Sequence, residues 1–178
     1  MRKVVLTFGL IAGVLVSAFL VVGMTLLDKE VLPSDSGEVL GYSGMVIALS
    51  MVFFGIKSFR DNYLNGSIKF WKGVQVGLLI SLVASLLYAS TWEVYSDEAY
   101  RDAYMDKYIE KTASKMKTEG ASQPEVDQKI QELTEMKVLY RNPFFRFGFS
   151  LIEIFPVGIL ITLISAAILR RREVLREV

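Results

Sequence analysis

The sequence contains no cysteine and no histidine. Without cysteine there are no disulfides, haem thioethers, iron–sulfur clusters or thiol nucleophiles. Without histidine the commonest metal ligand and the commonest general base are missing. Charge is also missing, but locally. Charged residues make up 22% of the 178 residues, yet four long runs hold almost none of them, which excludes a soluble globular protein. The formal net charge of +1 gives no general electrostatic reason to bind nucleic acid, so no nucleic-acid partner is expected.

What is present is apolar length. A membrane helix needs about 20 mainly apolar residues. The four runs are 4–27, 39–56, 73–92 and 147–169, and only the last carries a charge, Glu153. Helix is the state such runs take in lipid, because each backbone group must be satisfied within the segment. The first run has Arg2, Lys3 and a small-residue site near Ala18, as a signal peptide would. Its apolar stretch continues to Leu27, however, beyond the 7–15 residues of a signal core.

Lysine and arginine in the short loops set the orientation. Arg2 and Lys3 mark the N-terminus, Lys57, Arg60, Lys69 and Lys72 the second loop, and Arg170, Arg171, Arg172 and Arg176 the C-terminus. The first loop has Lys29 alone against Asp28, Glu30, Asp35 and Glu38, and the third is mixed. Both termini and the second loop are therefore expected in the cytoplasm of a bacterium, with the first and third loops outside its inner membrane. Trp71 and Trp92 are expected at the two edges of the third span, ~31 Å apart at ~1.5 Å per residue.

Small residues recur four apart at Gly73, Gly77, Ser81, Ser85 and Ala89, with shorter stripes at Gly9, Gly13, Ser17 and at Gly44, Ala48. Such stripes let helix backbones approach. They imply packing within a four-helix bundle, with homo-oligomerisation through a stripe as the sharper alternative.

Residues 93–142 are polar and tyrosine-rich. No Gly or Pro occurs from Leu78 to Glu119, so the third span is expected to continue out of the membrane as one helix. Tyr100, Tyr104 and Tyr108 share a helical face with Met105 and Ile109. Gly120 is a stop, and Ser122, Pro124 and Glu125 start a second helix with Val126, Ile130, Leu133, Met136 and Tyr140 on one side. Asn142-Pro143 ends it. The segment reads as an extracytoplasmic helical hairpin inserted between spans three and four. Its arms pair, and residues 97–140 offer a surface for an envelope protein partner or lipid headgroups.

Glu153 is the candidate for chemistry. A charge at mid-membrane costs ~2.5–3.5 kcal/mol on insertion scales, so it is expected to face the bundle interior. Seven residues in from Arg146 puts it ~10 Å deep. Ser17, Ser43, Ser85 and the hydroxyl of Tyr88 lie at matching depth. Burial favours its neutral form, which can donate a hydrogen bond. Pro156 removes a backbone donor three residues later. Two readings stand level: a structural acid joining helices, or a proton, cation or polar-ligand site. The second loop, 57–72, is basic and aromatic, with a tight turn at Asn65-Gly66, and reads as a topology signal that binds anionic headgroups. Arg60, Asp61 and Ser58 do not form a catalytic arrangement. No phosphate-cradling glycine loop or metal cluster is apparent, so neither cofactor nor metal is expected.

These residues carry a family resemblance. The stretch from Tyr42 to Asp61, Asn65-Gly66 with Ile68 and Phe70, the run from Val76 to Ile80, and Asn142-Pro143-Phe144 all resemble the domain of unknown function 4199 family. So, above all, do Leu151 to Gly158 and Leu163 to Arg170. The resemblance covers essentially the whole chain. It implies a four-span membrane protein and carries over no catalytic residue. It also implies that Lys57, Arg60, Asp61, Asn65, Gly66, Glu153, Pro156 and Gly158 belong to the family pattern.

The sequence thus leads to an all-α integral membrane protein: four spans and an outer helical hairpin. Its expected role is a non-enzymatic accessory subunit of an envelope assembly, in contact with membrane lipids. A small proton-coupled carrier built on Glu153 is the alternative, and a lipid-modifying enzyme the weaker one.

Overall fold

The structure is a computed structural model and describes residues 1–29, 31–33 and 36–170. The expected loop and terminal charges at Glu30, Asp35, Arg171, Arg172 and Arg176 lie outside the described residues, as does the side chain of Glu38. Among the described residues seven helices follow one another: α1 (Arg2–Asp28), α2 (Ser36–Leu49), α3 (Met51–Tyr63), α4 (Phe70–Tyr95), α5 (Glu98–Thr118), α6 (Gln123–Tyr140) and α7 (Pro143–Leu169). No strand occurs among the described residues. Among the described residues, four stretches are long and apolar enough to cross a membrane: α1, Val39–Tyr63, α4 and α7.

These spans outrun the apolar runs because polar residues extend helices past hydrocarbon. Lys57 to Tyr63, expected in a loop, are the last two turns of α3. Ser50 separates α2 from α3. Its hydroxyl donates to the Ile47 carbonyl at 2.6 Å, the kind of back-bond that bends a helix. At the start of α7, Asn142 Oδ1 accepts the Phe144 N–H at 2.9 Å, and Pro143 occupies the first helical position, where its missing N–H costs nothing.

The chain divides into two compact units, 1–92 with 150–178, and 93–149. The first is built on small residues. A Cβ on Gly77 would stand 2.5 Å from Thr162 Cγ2, one on Gly158 2.7 Å from Ser81 Cβ, and one on Gly73 3.1 Å from Ala166 Cβ. The small stripe of α4 is therefore a seat for α7. Gly9 and Gly13 similarly admit Val83 and Leu87 of α4. Thr91 Oγ1 donates to Ser17 Oγ at 2.8 Å between the same two helices. The core is Val16, Leu49, Val52, Ile56, Val76, Ile80, Ala84 and Ile154, all at 1% exposure or less.

The second unit corrects one expectation. The third span does not run on into the outer segment. α4 ends at Tyr95, and α5 starts afresh at Glu98 because Asp97 caps it, its Oδ1 accepting the Tyr100 N–H at 2.7 Å. α5 closes on Gly120 at φ +85°, with the Ala121 N–H bonded to the Met116 carbonyl at 2.9 Å and the Gly120 N–H to the Lys117 carbonyl at 3.2 Å. The Glu125 carboxylate then accepts both the Ser122 N–H and its hydroxyl at 2.8 Å. Ion pairs join α5 to α6 and its C-cap: Lys137 to Asp106 at 2.6 Å and Arg141 to Asp102 at 2.8 Å. Met105, Val126 and Leu133 are buried and Tyr100 is half-buried, whereas Tyr104 and Tyr108 are 41% and 42% exposed, so only part of the tyrosine face points outward.

The aromatic edges are only partly as expected. Trp71 is 75% exposed, as an interfacial residue should be, but Trp92 is 6% exposed and sits in the protein core.

Candidate functional site

Glu153 departs furthest from expectation. The residue is exposed, although its carboxyl reaches in to the buried Tyr88. Its side chain lies on the exposed side of α7, flanked by Ile152 (72% exposed), Pro156 and Leu160. Helical rotation explains this. Ile154 and Gly158 must face inward, with Gly158 against Ser81 and Ile154 fully buried. Glu153 is turned ~100° from Ile154 and so away from the core.

Of the four candidates at its depth, one meets it. The Tyr88 hydroxyl donates to Glu153 Oε2 at 3.2 Å, and Tyr88 itself is buried. Ser85 is fully buried and donates to the Ser81 carbonyl of its own helix at 2.8 Å. Ser17 is taken by Thr91. Ser43 is exposed on α2, because Gly44 and Met45 hold the inward positions and Gly44 packs on Phe19. Pro156 lies within α7 without ending the helix. It deprives the Ile152 carbonyl of its donor four residues on. A carboxyl, a phenol and an under-donated carbonyl thus occur within about one turn. They can exchange hydrogen bonds with a ligand or a neighbouring helix.

The second cluster lies near the end of α3. Lys57, Ser58, Asp61 and Asn62 fall on one helical face and border a groove of about 490 Å³ with Phe8, Met51 and Phe54. Arg60 points elsewhere. Its Nε donates to Asp61 Oδ1 at 2.6 Å and its Nη1 to the Leu169 carbonyl at 3.4 Å, so it caps the end of α7. Asn65 (φ 49°) and Gly66 (φ 81°) form the turn into α4 and do not line the groove.

Sequence reasoning treated Arg146 only as a flank. It is 4% exposed and donates to both carboxylate oxygens of Glu93 at 2.7 and 2.5 Å, and to the Tyr140 carbonyl at 2.9 Å. The available signal was a basic residue beside an apolar run with Glu93 directly after Trp92.

Four helical stretches long and apolar enough to cross a membrane, packed through small residues, describe a multi-pass α-helical membrane protein. The chain belongs to the family described as Protein of unknown function (DUF4199), which matches residues 7–171. No curated protein and no solved structure matches it.

Proposed function

We propose that the chain is a non-enzymatic interaction protein, an accessory subunit of an assembly in a bacterial inner membrane. Its spans form a four-helix bundle, with both termini and the turn into α4 cytoplasmic. Residues 93–142 stand outside as a helical hairpin, and residues 97–140 offer the exposed tyrosines Tyr104 and Tyr108 to a partner. The observation that supports this reading is the outward position of Glu153. A carrier would turn its acid toward a polar internal path. Here the inward neighbours are fully buried Ile154, Ala84 and Ser85. A carboxyl on a lipid-facing helix surface at ~2.5–3.5 kcal/mol if charged is better accommodated by polar groups of a second membrane protein. The small-residue stripes pack within the chain, and the outer face of α7 is an exposed apolar face that also carries an acid.

A photoreactive side chain at Ile152 or Leu160 in living cells should give one adduct of discrete mass. The adduct should persist in Glu153→Gln and vanish in Glu153→Leu, and the outward position Val14 of α1 should give none. Adducts with lipid alone, equal from both helices, would sink the proposal.

A further inference from the structure

We infer that the groove between α1 and α3 holds one membrane phospholipid, with its phosphate on Lys57 and an acyl chain along Phe54, Met51 and Phe8. The lining changes character along a single helix. From Met51 to Asp61 is ten residues, ~15 Å, and the order is apolar, apolar, basic, polar, acidic. The apolar end points along the span and the polar end toward its terminus. Exposed Tyr63 and Trp71, with Arg2 and Lys3 at the start of α1, mark that terminus as a membrane boundary. A soluble anion would use the rim and leave Phe8, Met51 and Phe54 uncovered. A hydrocarbon would cover them and leave an ammonium against it. A phospholipid matches both halves in the same order and at the same depth.

Charge selects the headgroup atom. Asp61 is paired with Arg60. Lys57 has no ion pair or hydrogen bond among the described residues and is exposed. One cation is thus left over, which suits one phosphate. Ser58 accepts from Asn62 Nδ2 at 3.1 Å and keeps its own proton for a phosphate or ester oxygen. The groove's volume, about 490 Å³, is enough for the glycerol region and the upper part of one chain.

The test uses the full chain, delipidated in neutral detergent, with bound species counted by native mass spectrometry. The probes are phosphatidylglycerol, a diacylglycerol with the same chains, and inorganic phosphate. A single phosphatidylglycerol adduct is expected. Lys57→Ala should weaken it about fivefold, the equivalent of about 1 kcal/mol for one basic residue at a membrane surface. Phe54→Ala should weaken it as well, and the two partial probes should bind at least tenfold less tightly than the phospholipid. Both substitutions lie on exposed helix surface, and unchanged melting of the variants will show that the fold is intact. Equal binding by Lys57→Ala overturns the inference. So does inorganic phosphate binding as tightly as the lipid, which would mark a free-anion site, or diacylglycerol doing so, which would mark a groove that ignores phosphate.

Discussion

Glu125 and Glu153 carry the same side chain into opposite surroundings. Glu125 is fully in water, and the hydroxyl and N–H of Ser122 hold its carboxyl below the usual glutamate range. A depressed value in the fold means that the cap is complete above the unfolded value, near 4.3, and is lost as pH falls through the lower folded value. The Ser122 amide proton should therefore titrate with a midpoint below about 4.3, read by NMR, and stay flat in Glu125→Gln. A midpoint at or above the ordinary value would show that the cap does not hold the carboxylate. Among the described residues Glu153 has one donor, Tyr88, at 3.2 Å. Interhelical hydrogen bonds in membrane proteins average ~0.6 kcal/mol. Glu153→Leu and Tyr88→Phe should each lower stability in detergent by about that amount, and the double variant by no more than the larger of the two. An interior acid would instead cost several kcal/mol when its partners were stranded. A loss of that size would return Glu153 to the core.

At the scale of the helix, glycines report where helices touch. A Cβ at Gly77 would collide with Thr162, whereas one at Gly41 meets nothing within 4 Å. Gly77→Ala should destabilise by about 1–3 kcal/mol through overpacking. Gly41→Ala should be neutral or gain up to about 1 kcal/mol from helix propensity. Chemical unfolding in detergent separates the two, and equal effects would mean that α4 and α7 do not pack at Gly77. The four-residue stripes were legible because small residues at that spacing have few other uses in lipid. Their partners were not, because spacing fixes a face and not what faces it. Rotation misled for the same reason. An acid's cost suggested an interior Glu153, but Ile154 and Gly158 claim the inward side of α7 and turn it out. The break before α5 was present in the sequence as Ser96-Asp97 ahead of a helical run. The lack of Gly and Pro concealed it, since a side-chain cap ends one helix and starts the next without either. Lys57 shows the reverse case, in which a charged stretch read as loop is helix, because lysine and arginine are good helix formers.

At the scale of the molecule, the unit 93–149 has little apolar core, with Met105, Val126 and Leu133 as its buried side chains of that kind. Exposed ion pairs contribute little, so Lys137–Asp106 and Arg141–Asp102 cannot hold it alone. Arg146 is different. Its side chain is 5% exposed, reaches Glu93 with two nitrogens, and binds carbonyls at the end of α6, thereby tying the first residue of the unit to the end of α6 and the start of α7. Removing one partner of a buried pair leaves the other charge uncompensated, at about 3–5 kcal/mol when both are fully enclosed. Glu93 is 25% exposed, which lowers the expected loss to about 2–3 kcal/mol. Arg146→Met should therefore open this unit, with protease cutting within 93–142 at least tenfold faster than in the parent. Arg146→Lys should recover only part of the protection, because an ammonium cannot span both carboxylate oxygens in the planar fork that a guanidinium makes. If Lys protects as well as Arg, a point charge suffices and the bidentate geometry is incidental. If Met protects as well, the three buried apolar side chains hold the unit by themselves.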